Sequence, residues 1–249
     1  MLILLTNDDG IHAEGILMAE KELGKMGEVL MVAPDREQSA SSHSLTLERP
    51  LRLHKMGERR YTCDGTPTDC VMMAVHGILE HRLPDLLVSG INHGANMAED
   101  VTYSGTVAAA IEGSTMGIPS MAVSNTDAEN IKSYRPAARF TARLASRFKE
   151  FNLPPRTFLN INFPKLQNGR IPKYKFTGLG QRVYKDIIIK KTDPRGKDYY
   201  WIAGEAVWKS VNGTDYEAIA SGFISISALK MNFTDTETIE KLKDMKLKL

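Results

Sequence analysis

The chain has 249 residues, of which 42% are hydrophobic and 25% charged, and its formal net charge is +2. This composition excludes disordered and fibrous classes, and a charge so close to balance predicts no binding of nucleic-acid polymers. The apolar segment at residues 2–5 is too short for a signal peptide, and no apolar stretch approaches the roughly 18 residues of a membrane span. We therefore expect a cytoplasmic protein without membrane association. Cys63 and Cys70 lack the spacing of a metal site, and we interpret them as buried thiols in a reducing compartment.

Short apolar segments alternate with helical patterns along the first two-thirds of the chain. In chain order the pattern predicts a strand at residues 2–6, a helix at 16–26, a strand at 29–33, a helix opened by Thr66 and Pro67, a strand at 86–89, a helix at 107–116, a strand at 120–124, a helix at 135–149 and a strand at 158–161. Near-continuous apolar strands that alternate with helices are typical of a parallel sheet covered on both faces. The predicted fold class is therefore α/β with a doubly wound, mostly parallel sheet.

Two regions depart from this alternation. Residues 45–62 alternate apolar and charged side chains around Gly57, which predicts a hairpin. Residues 174–211 carry strand-like segments at 187–189 and 199–202 on either side of a turn sequence, Asp193-Pro194-Arg195-Gly196. We expect the second region to form a long hairpin that protrudes from the core.

The C-terminal part of the chain predicts a return to the sheet and one more helix. Residues 223–228 have the pattern of a strand, and Thr234 with Glu237 has the spacing of a capping box for a C-terminal helix. The lysines between Lys241 and Lys248 are interpreted as a solvated helix face. We accordingly divide the chain into a catalytic core, residues 1–170, and an oligomerisation part, residues 171–249, with the hairpin extension, the returning strand and the final helix.

Polar side chains follow the first three predicted strands of the sheet. Asp8 and Asp9 come directly after the first strand, Ser39 after the second and Asn92 after the third. Ligands of open α/β sheets bind beyond the carboxyl ends of the strands, so these residues are expected to share one edge. Two adjacent carboxylates in an apolar setting repel each other unless a cation lies between them, and oxygen ligands favour Mg²⁺ or Mn²⁺ over Zn²⁺. The alternative is that Asp8 or Asp9 only caps the following helix.

A second polar turn precedes the alanine-rich helix. Ser104, Gly105 and Thr106 place hydroxyl groups and free main-chain N–H groups at the positive end of that helix, a pattern that favours an anion such as phosphate. Gly105 permits close approach of the main chain.

Several of these segments together resemble one protein family. The motifs are LLTNDDGI, VAPDREQSASSHSLTL, CDGTPTDCV, LPDLLVSGINHGAN, YSGTVAAAIEG and TDYEAIASGFISIS, in order from Met1 to about Ala228. They are similar to the SurE family of survival proteins, which are 5'/3'-nucleotidases. Two departures are Ala40, where the family usually has Gly, and Ser227-Ala228-Leu229, where it usually has Thr-Pro-Leu.

The resemblance implies a Rossmann-like core, one divalent metal ion per subunit, and a homodimer or homotetramer with exchanged or protruding segments. It also implies hydrolysis of nucleoside monophosphates and, in some members, action on short polyphosphate. By motif match, the implied metal ligands are Asp8, Asp9, Ser39 and Asn92. The implied phosphate-binding residues are Asn96, Ser104, Gly105 and Thr106.

The expected chemistry is attack of water on phosphorus, with the nucleoside leaving as an alcohol and a divalent ion withdrawing charge from the phosphate. Asp8 or Asp9 would position or deprotonate the water, and His43 or His93 is a candidate for protonating the leaving oxygen. One alternative is a phosphatase in which Asp8 or Asp9 is the nucleophile, although that class spaces its two aspartates by one residue. The other is a nucleotide-binding sensor on the same core, without catalysis.

Overall fold

The computed structural model describes residues 1–166, 171–185, 188–202, 205–209 and 211–245. In chain order its strands are β1 (Leu2–Thr6), β2 (Glu28–Pro34), β3 (Leu53–Gly57), β4 (Arg60–Cys63), β5 (Leu86–His93), β6 (Ser120–Asn125), β7 (Thr157–Phe163), β8 (Tyr174–Phe176), β9 (Gln181–Lys185), β10 (Ile188–Thr192), β11 (Asp198–Ile202), β12 (Glu205–Lys209) and β13 (Ile224–Lys230). The α-helices are α1 (Glu14–Leu23), α2 (Pro67–Met72), α3 (Gly105–Thr115), α4 (Ile131–Ser146), α5 (Asp215–Ala220) and α6 (Thr236–Lys243). Each strand and helix predicted in the first two-thirds of the chain is present, with ends shifted by a few residues.

Nine strands form one sheet in the order β3-β4-β2-β1-β5-β6-β7-β13-β8. The pairs from β4 through β7 are parallel, whereas β3 and β13 each run antiparallel to the neighbour that joins them to that block. The prediction of a mostly parallel sheet is confirmed. Because β1 lies between β2 and β5, the carboxyl ends of these three strands are neighbours at one edge.

The sheet separates two apolar cores. In β1, Ile3 and Leu5 face the core that α1 and α4 cover, while Leu2 and Leu4 face the opposite core under α2 and α3. Successive side chains of a strand point to opposite faces, so a strand with helices on both sides must be apolar throughout. The doubly wound arrangement follows from this pattern.

The region around Gly57 is a short hairpin, β3 to β4, and residues 45–52 contain no strand. Helix α2 begins as predicted: the Thr66 side chain accepts a hydrogen bond from Asp69 N, the Asp69 carboxylate accepts one from Thr66 N, and Pro67 occupies the first helical turn. Cys63 and Cys70 are both free thiols and fully buried.

The predicted hairpin at residues 174–211 is confirmed in its central part. β10 pairs antiparallel with β11 around the turn at residues 193–196, and β9 pairs antiparallel with β12 below it. We call β9 to β12 the arm. Ile187, which was part of the predicted strand, lies outside the described residues.

The C-terminal part differs from prediction at the last helix. Strand β13 returns to the sheet as expected, but the capping residue of α6 is Asp235, whose side chain accepts a hydrogen bond from Thr238 N, so the predicted Thr234–Glu237 capping box is wrong by one residue. A carboxylate is charged and therefore a stronger acceptor at a helix N-terminus than a hydroxyl group. Lys241 and Lys243 are exposed on α6, and the lysines beyond residue 245 lie outside the described residues.

The division of the chain at residue 170 stays a prediction. Both β8 and β13 belong to the nine-stranded sheet, whereas the arm forms two separate two-stranded sheets. Across the described ranges, no helix is long and apolar enough to cross a membrane.

Candidate active site

The carboxyl ends of β1, β2 and β5 meet the N-terminus of α3 at one edge of the sheet. The loop after β2 is joined to the loop after β1 by a hydrogen bond from Gln38 N to Asp8 O, 2.7 Å long. The end of β5 is joined to the same loop after β1 by a hydrogen bond of 2.9 Å from His93 N to Asp9 Oδ2. The Thr106 hydroxyl in the first turn of α3 donates to Asp8 Oδ1. The predicted site residues after β1 and those at the start of α3 are therefore in direct contact.

Asp8 and Asp9 are held where ionisation is unfavourable. Burial raises the pKa of Asp8, and the hydrogen bonds from the Thr106 side chain and from the main chain of Thr106 and Gly105 offset this only in part. Burial, followed by repulsion from the Asp8 carboxylate, raises the pKa of Asp9 to about 6. The capping alternative is excluded, because the capping position of α1 is Ala13 and that cap has no side-chain hydrogen bond. The two carboxylates thus remain available to a cation.

The N-terminus of α3 is packed against Asp8. A Cβ atom added to Gly105 would lie 2.9 Å from Asp8 Cβ and 3.0 Å from Asp8 Oδ2, so only glycine permits this approach. Ser104 caps the helix by accepting a hydrogen bond from Val107 N at 3.1 Å. The Ser104 hydroxyl still has its proton to donate.

Asn96 is fixed by a group of amides behind the same edge. Asn96 N donates to Asn162 Oδ1 at 2.9 Å, and Asn96 O accepts from the side-chain amides of Asn160 and Asn162 at 2.9 and 2.8 Å. The Asn96 side chain donates to Ser124 Oγ at 2.9 Å. The position of Asn96 is therefore determined by β6 and β7.

Ser39 lies in the loop after β2 and Asn92 lies near the end of β5, and both side chains hydrogen-bond to residues close to them in the chain. The exposed Ser39 hydroxyl donates to Glu37 Oε1 at 2.6 Å, and Asn92 Nδ2 donates to Gly94 O at 3.0 Å. Ala40 has a φ of +57°, a left-handed conformation that favours glycine. Ala40, where the family usually has Gly, therefore adopts a main-chain conformation that is less strained for glycine than for alanine.

The two histidines of the motifs have defined partners. His43 Nε2 lies 2.7 Å from Glu112 Oε2 on α3. His93 Nδ1 lies 3.3 Å from the buried Tyr134 hydroxyl, and its Nε2 lies 3.5 Å from Glu129 Oε1. Burial, with a further contribution from the Asp9 charge, raises the pKa of Tyr134 to about 12.

Sequence reasoning missed several residues of this edge. Within the described ranges, the buried Ser41 Oγ and Asn7 Oδ1 have no hydrogen-bond partner, and Ser41 Oγ lies 2.7 Å from the Cβ position of Gly105. One sequence feature could have indicated Ser41, namely its position two residues after Ser39. Tyr134, Asn160 and Asn162 have none, because they come from helix or strand patterns that look purely structural.

The donor set fits a divalent metal ion. Two carboxylates with raised pKa values, hydroxyl oxygens and buried polar atoms without partners lie at one edge, and oxygen ligands of this kind suit Mg²⁺ or Mn²⁺. Over the ranges that the structure covers there is no group of three or more His, Cys, Asp or Glu residues arranged to hold a metal ion. A site here therefore depends on serine and asparagine oxygens beside the two aspartates.

These features define a Rossmann-like α/β protein with two adjacent aspartates at the carboxyl edge of its sheet. The family model described as survival protein SurE matches residues 3–186. The chain belongs to the SurE family, and the resemblance of its motifs is thereby confirmed.

Proteins that are similar to this chain over nearly its whole length have the name 5'-nucleotidase SurE. A protein of Geotalea daltonii called 5'-nucleotidase SurE is 46% identical over 244 residues, covering 98% of each chain. A protein of Pelobacter propionicus with the same name is 49% identical over 236 residues, covering 94% of this chain and 95% of that protein. The crystal structure of the SurE protein from Aquifex aeolicus is 41% identical, superposes with a TM-score of 0.86, and covers 98% of this chain and 100% of its own.

Proposed function

We propose that this chain is a divalent-metal-dependent phosphomonoesterase that hydrolyses nucleoside 5'- and 3'-monophosphates, with short polyphosphate as a further substrate. The observation that carries the proposal is the pair of adjacent carboxylates, Asp8 and Asp9, directly in front of the N-terminus of α3. The name 5'-nucleotidase of the similar proteins supports the 5' activity. An acidic pair beside an anion-binding helix end is suited to a cation and a phosphate group together.

Asp8, Asp9, Ser39 and Asn92 would hold one divalent ion per subunit, Mg²⁺ or Mn²⁺. When bound, the ion would neutralise the carboxylate pair, withdraw charge from a phosphate oxygen and lower the pKa of water. The neutralisation explains why two carboxylates are maintained at a site where burial and mutual repulsion raise their pKa values.

The phosphate group would be oriented by the residues at the N-terminus of α3 together with Asn96. The Thr106 hydroxyl and the main-chain N–H groups of Gly105 and Thr106 hydrogen-bond to Asp8, and they would turn to the phosphate once a cation neutralises that carboxylate. Ser104 adds a hydroxyl group at the end of α3, and Asn96 is fixed by β6 and β7. As negative charge redistributes over the phosphate oxygens in the transition state, such preorganised donors lower its free energy. Attack by water then forms one P–O bond and breaks the P–O bond to the nucleoside. Asp8 or Asp9 accepts a proton from the attacking water, and His43 or His93 donates a proton to the leaving oxygen, so the nucleoside leaves as an alcohol.

Metal dependence is the first test. Protein dialysed against EDTA is expected to lose activity by roughly 100-fold or more towards a panel of nucleoside 5'- and 3'-monophosphates, and Mn²⁺ or Mg²⁺ should restore it. Full activity in excess EDTA would contradict the proposal. Nucleotide binding without turnover, at any added metal, would instead identify a sensor.

The second test separates the roles of the aspartates. Asp8→Asn and Asp9→Asn should each lower kcat by roughly 10-fold to 1,000-fold with the fold retained by circular dichroism. Asp198→Asn, an exposed residue of β11 paired with Lys190, is the matched control and should keep normal rates. Acid-quenched protein mixed with labelled substrate should carry no phosphate, whereas a phosphorylated aspartate would favour the nucleophilic alternative.

A further inference from the structure

Asp215 is a fully buried aspartate that none of the steps above uses. It is the first residue of α5, in the C-terminal part of the chain, and its side chain has no exposed surface. Asp215 Oδ2 accepts a hydrogen bond from Ala98 N, and Asp215 Oδ1 accepts hydrogen bonds from Gly180 N and Tyr216 N, each 2.8 Å long. A buried carboxylate with both oxygens engaged by main-chain donors constrains all of them.

The first of these donors belongs to the stretch that carries the candidate phosphate-binding residues. We call residues 96–106 the phosphate segment, and it includes a 3-10 turn at Ala98–Thr102. Ala98 is buried and has a φ of +51°, a left-handed conformation that a non-glycine residue keeps only when its surroundings impose it. The hydrogen bond to Asp215 is such a constraint.

The second donor belongs to the start of the arm. Gly180 immediately precedes β9, and a second set of contacts runs parallel to the first: Arg182 N donates to Glu99 Oε2 at 2.7 Å, and the Arg182 side chain forms an ion pair with Asp100. Glu99 and Asp100 are both in the 3-10 turn. The phosphate segment is therefore attached to the base of the arm at two places.

Resting on the function proposed above, we propose that Asp215 is a positioning residue: it fixes the phosphate segment at the site and joins that segment to the base of the arm. Without this acceptor, the left-handed turn at Ala98 loses its hydrogen-bond partner, and the chain around Ala98 can shift while the Arg182 contacts to Glu99 and Asp100 remain. Asp215 acts on the substrate only through this segment, so its loss weakens phosphate binding and spares the metal ligands Asp8 and Asp9.

The decisive variant is Asp215→Asn, which keeps the size of the side chain. Because both oxygens accept from N–H groups, an amide must turn its NH₂ group towards at least one donor. We call the contacts that join the phosphate segment, Asp215 and the base of the arm the junction. The matched control is Glu217→Gln, a substitution on the same helix at a residue that pairs with Lys175 and lies outside the junction.

For Asp215→Asn, KM for a nucleoside 5'-monophosphate and the Kd of inorganic phosphate measured by calorimetry should both rise by about 10-fold or more. kcat should fall because the same segment holds the transition-state donors, whereas the Kd of Mn²⁺ should change by less than about 3-fold. Hydrogen exchange should accelerate at residues 97–104 and 178–182 together. Glu217→Gln should match wild type in each measurement. Folded Asp215→Asn protein with normal KM, normal phosphate Kd and normal exchange at residues 97–104 would overturn the proposal, because a purely structural role lowers Tm alone.

A second variant covers the case in which Asp215→Asn does not fold. Glu99→Gln weakens the parallel contact at an exposed side chain, and a rise in KM and phosphate Kd of about 2-fold to 5-fold is expected. An unchanged KM and an unchanged phosphate Kd in folded Glu99→Gln protein would contradict the proposed role of the junction. If wild-type protein hydrolyses no phosphomonoester, the proposed function fails, and the exchange measurement alone decides whether Asp215 holds the segment.

Discussion

At the scale of single residues, Asp8 and Asp9 lose hydration on folding, and their hydrogen bonds offset this loss only in part. The partners of Asp8 are donors from Thr106 and Gly105, and Asp9 receives one hydrogen bond from His93 N while the Asp8 charge repels it. Such pairs persist at functional sites, where a ligand supplies the missing stabilisation. The pKa of Asp9 near 6 gives this cost a pH dependence that can be measured.

Asp9→Asn is expected to stabilise the metal-free protein at neutral pH. A carboxyl group whose pKa is higher in the folded than in the unfolded state is stabilising only while protonated, so wild-type stability falls as pH rises from about 4 through 6. The Asp9→Asn variant has no carboxyl group to ionise here, so its stability does not fall in this way. Its Tm should exceed that of wild type by about 2–6 °C at pH 7.5, with a smaller difference at pH 5.

Mn²⁺ provides the control for this measurement. A ligand that binds only the folded state raises Tm, so Mn²⁺ should stabilise wild type more than Asp9→Asn and reverse their order. A variant that is less stable than wild type at every pH in EDTA would show that the carboxylate pair is not under electrostatic strain.

At the scale of elements, the close packing of α1 on β5 determines where the end of β5 lies. Gly15 in α1 faces the main chain of β5, and a Cβ atom added there would lie 1.9 Å from Ile91 O. Ile91 directly precedes Asn92, so the helix and the candidate metal ligand are positioned by one contact. The predicted sheet and helix do not reveal this contact, because it depends on the distance between them.

Gly15→Ala should therefore destabilise the protein and displace the end of β5. Overpacking of this kind costs about 1–3 kcal/mol, which corresponds to a fall in Tm of roughly 2–12 °C for a chain of this size. The Kd of Mn²⁺ should rise in the same variant. Gly77→Ala is the matched control: its Cβ would lie 3.5 Å from Met73 Cε, an ordinary contact, and its Tm should be unchanged or slightly higher. Equal stability of the two variants would contradict the account of Gly15.

At the scale of the whole molecule, the tip of the arm exposes an unusual amount of apolar surface. On β10 and β11 the exposed large side chains are Ile188, Ile189, Tyr199, Tyr200, Trp201 and Ile202. An isolated two-stranded hairpin is marginal in water, and exposed apolar patches of this kind mark interfaces. A second subunit is the expected cover, and closed symmetric oligomers are the commonest outcome.

Deletion of residues 188–202 is expected to yield a smaller species by light scattering at micromolar concentration. This deletion leaves Gly180, Arg182 and the β9–β12 pair in place, so the junction at Asp215 is retained and the effect reports on the tip alone. Glu205 and Lys185 pair at the end of that sheet, where a short Gly/Ser turn can join the strands. A wild-type monomer, or an unchanged oligomer after the deletion, would remove assembly as the role of the tip.

The local features of this structure, its strands, turns and helix caps, could largely be predicted from the sequence. A buried strand is a continuous apolar run, as in residues 2–6, and the acids that follow it must lie at the strand's carboxyl end. Turn residues at 193–196 and the cap at Thr66 act on their immediate neighbours, so their effects were predictable. The capping error at Thr234 shows the limit of this approach, since a neighbouring carboxylate, Asp235, was the stronger acceptor.

Only the tertiary structure decided which distant parts of the chain are in contact. The Thr106 hydroxyl meets Asp8 across 98 residues, and Asp215 meets Ala98 across 117. Neither pair leaves a periodic or local signal, because each depends on the order of strands in the sheet and on how closely the helices pack against it. The sequence by itself therefore determined which residues stand at the ends of strands, while strand order and packing distance decided which of them touch.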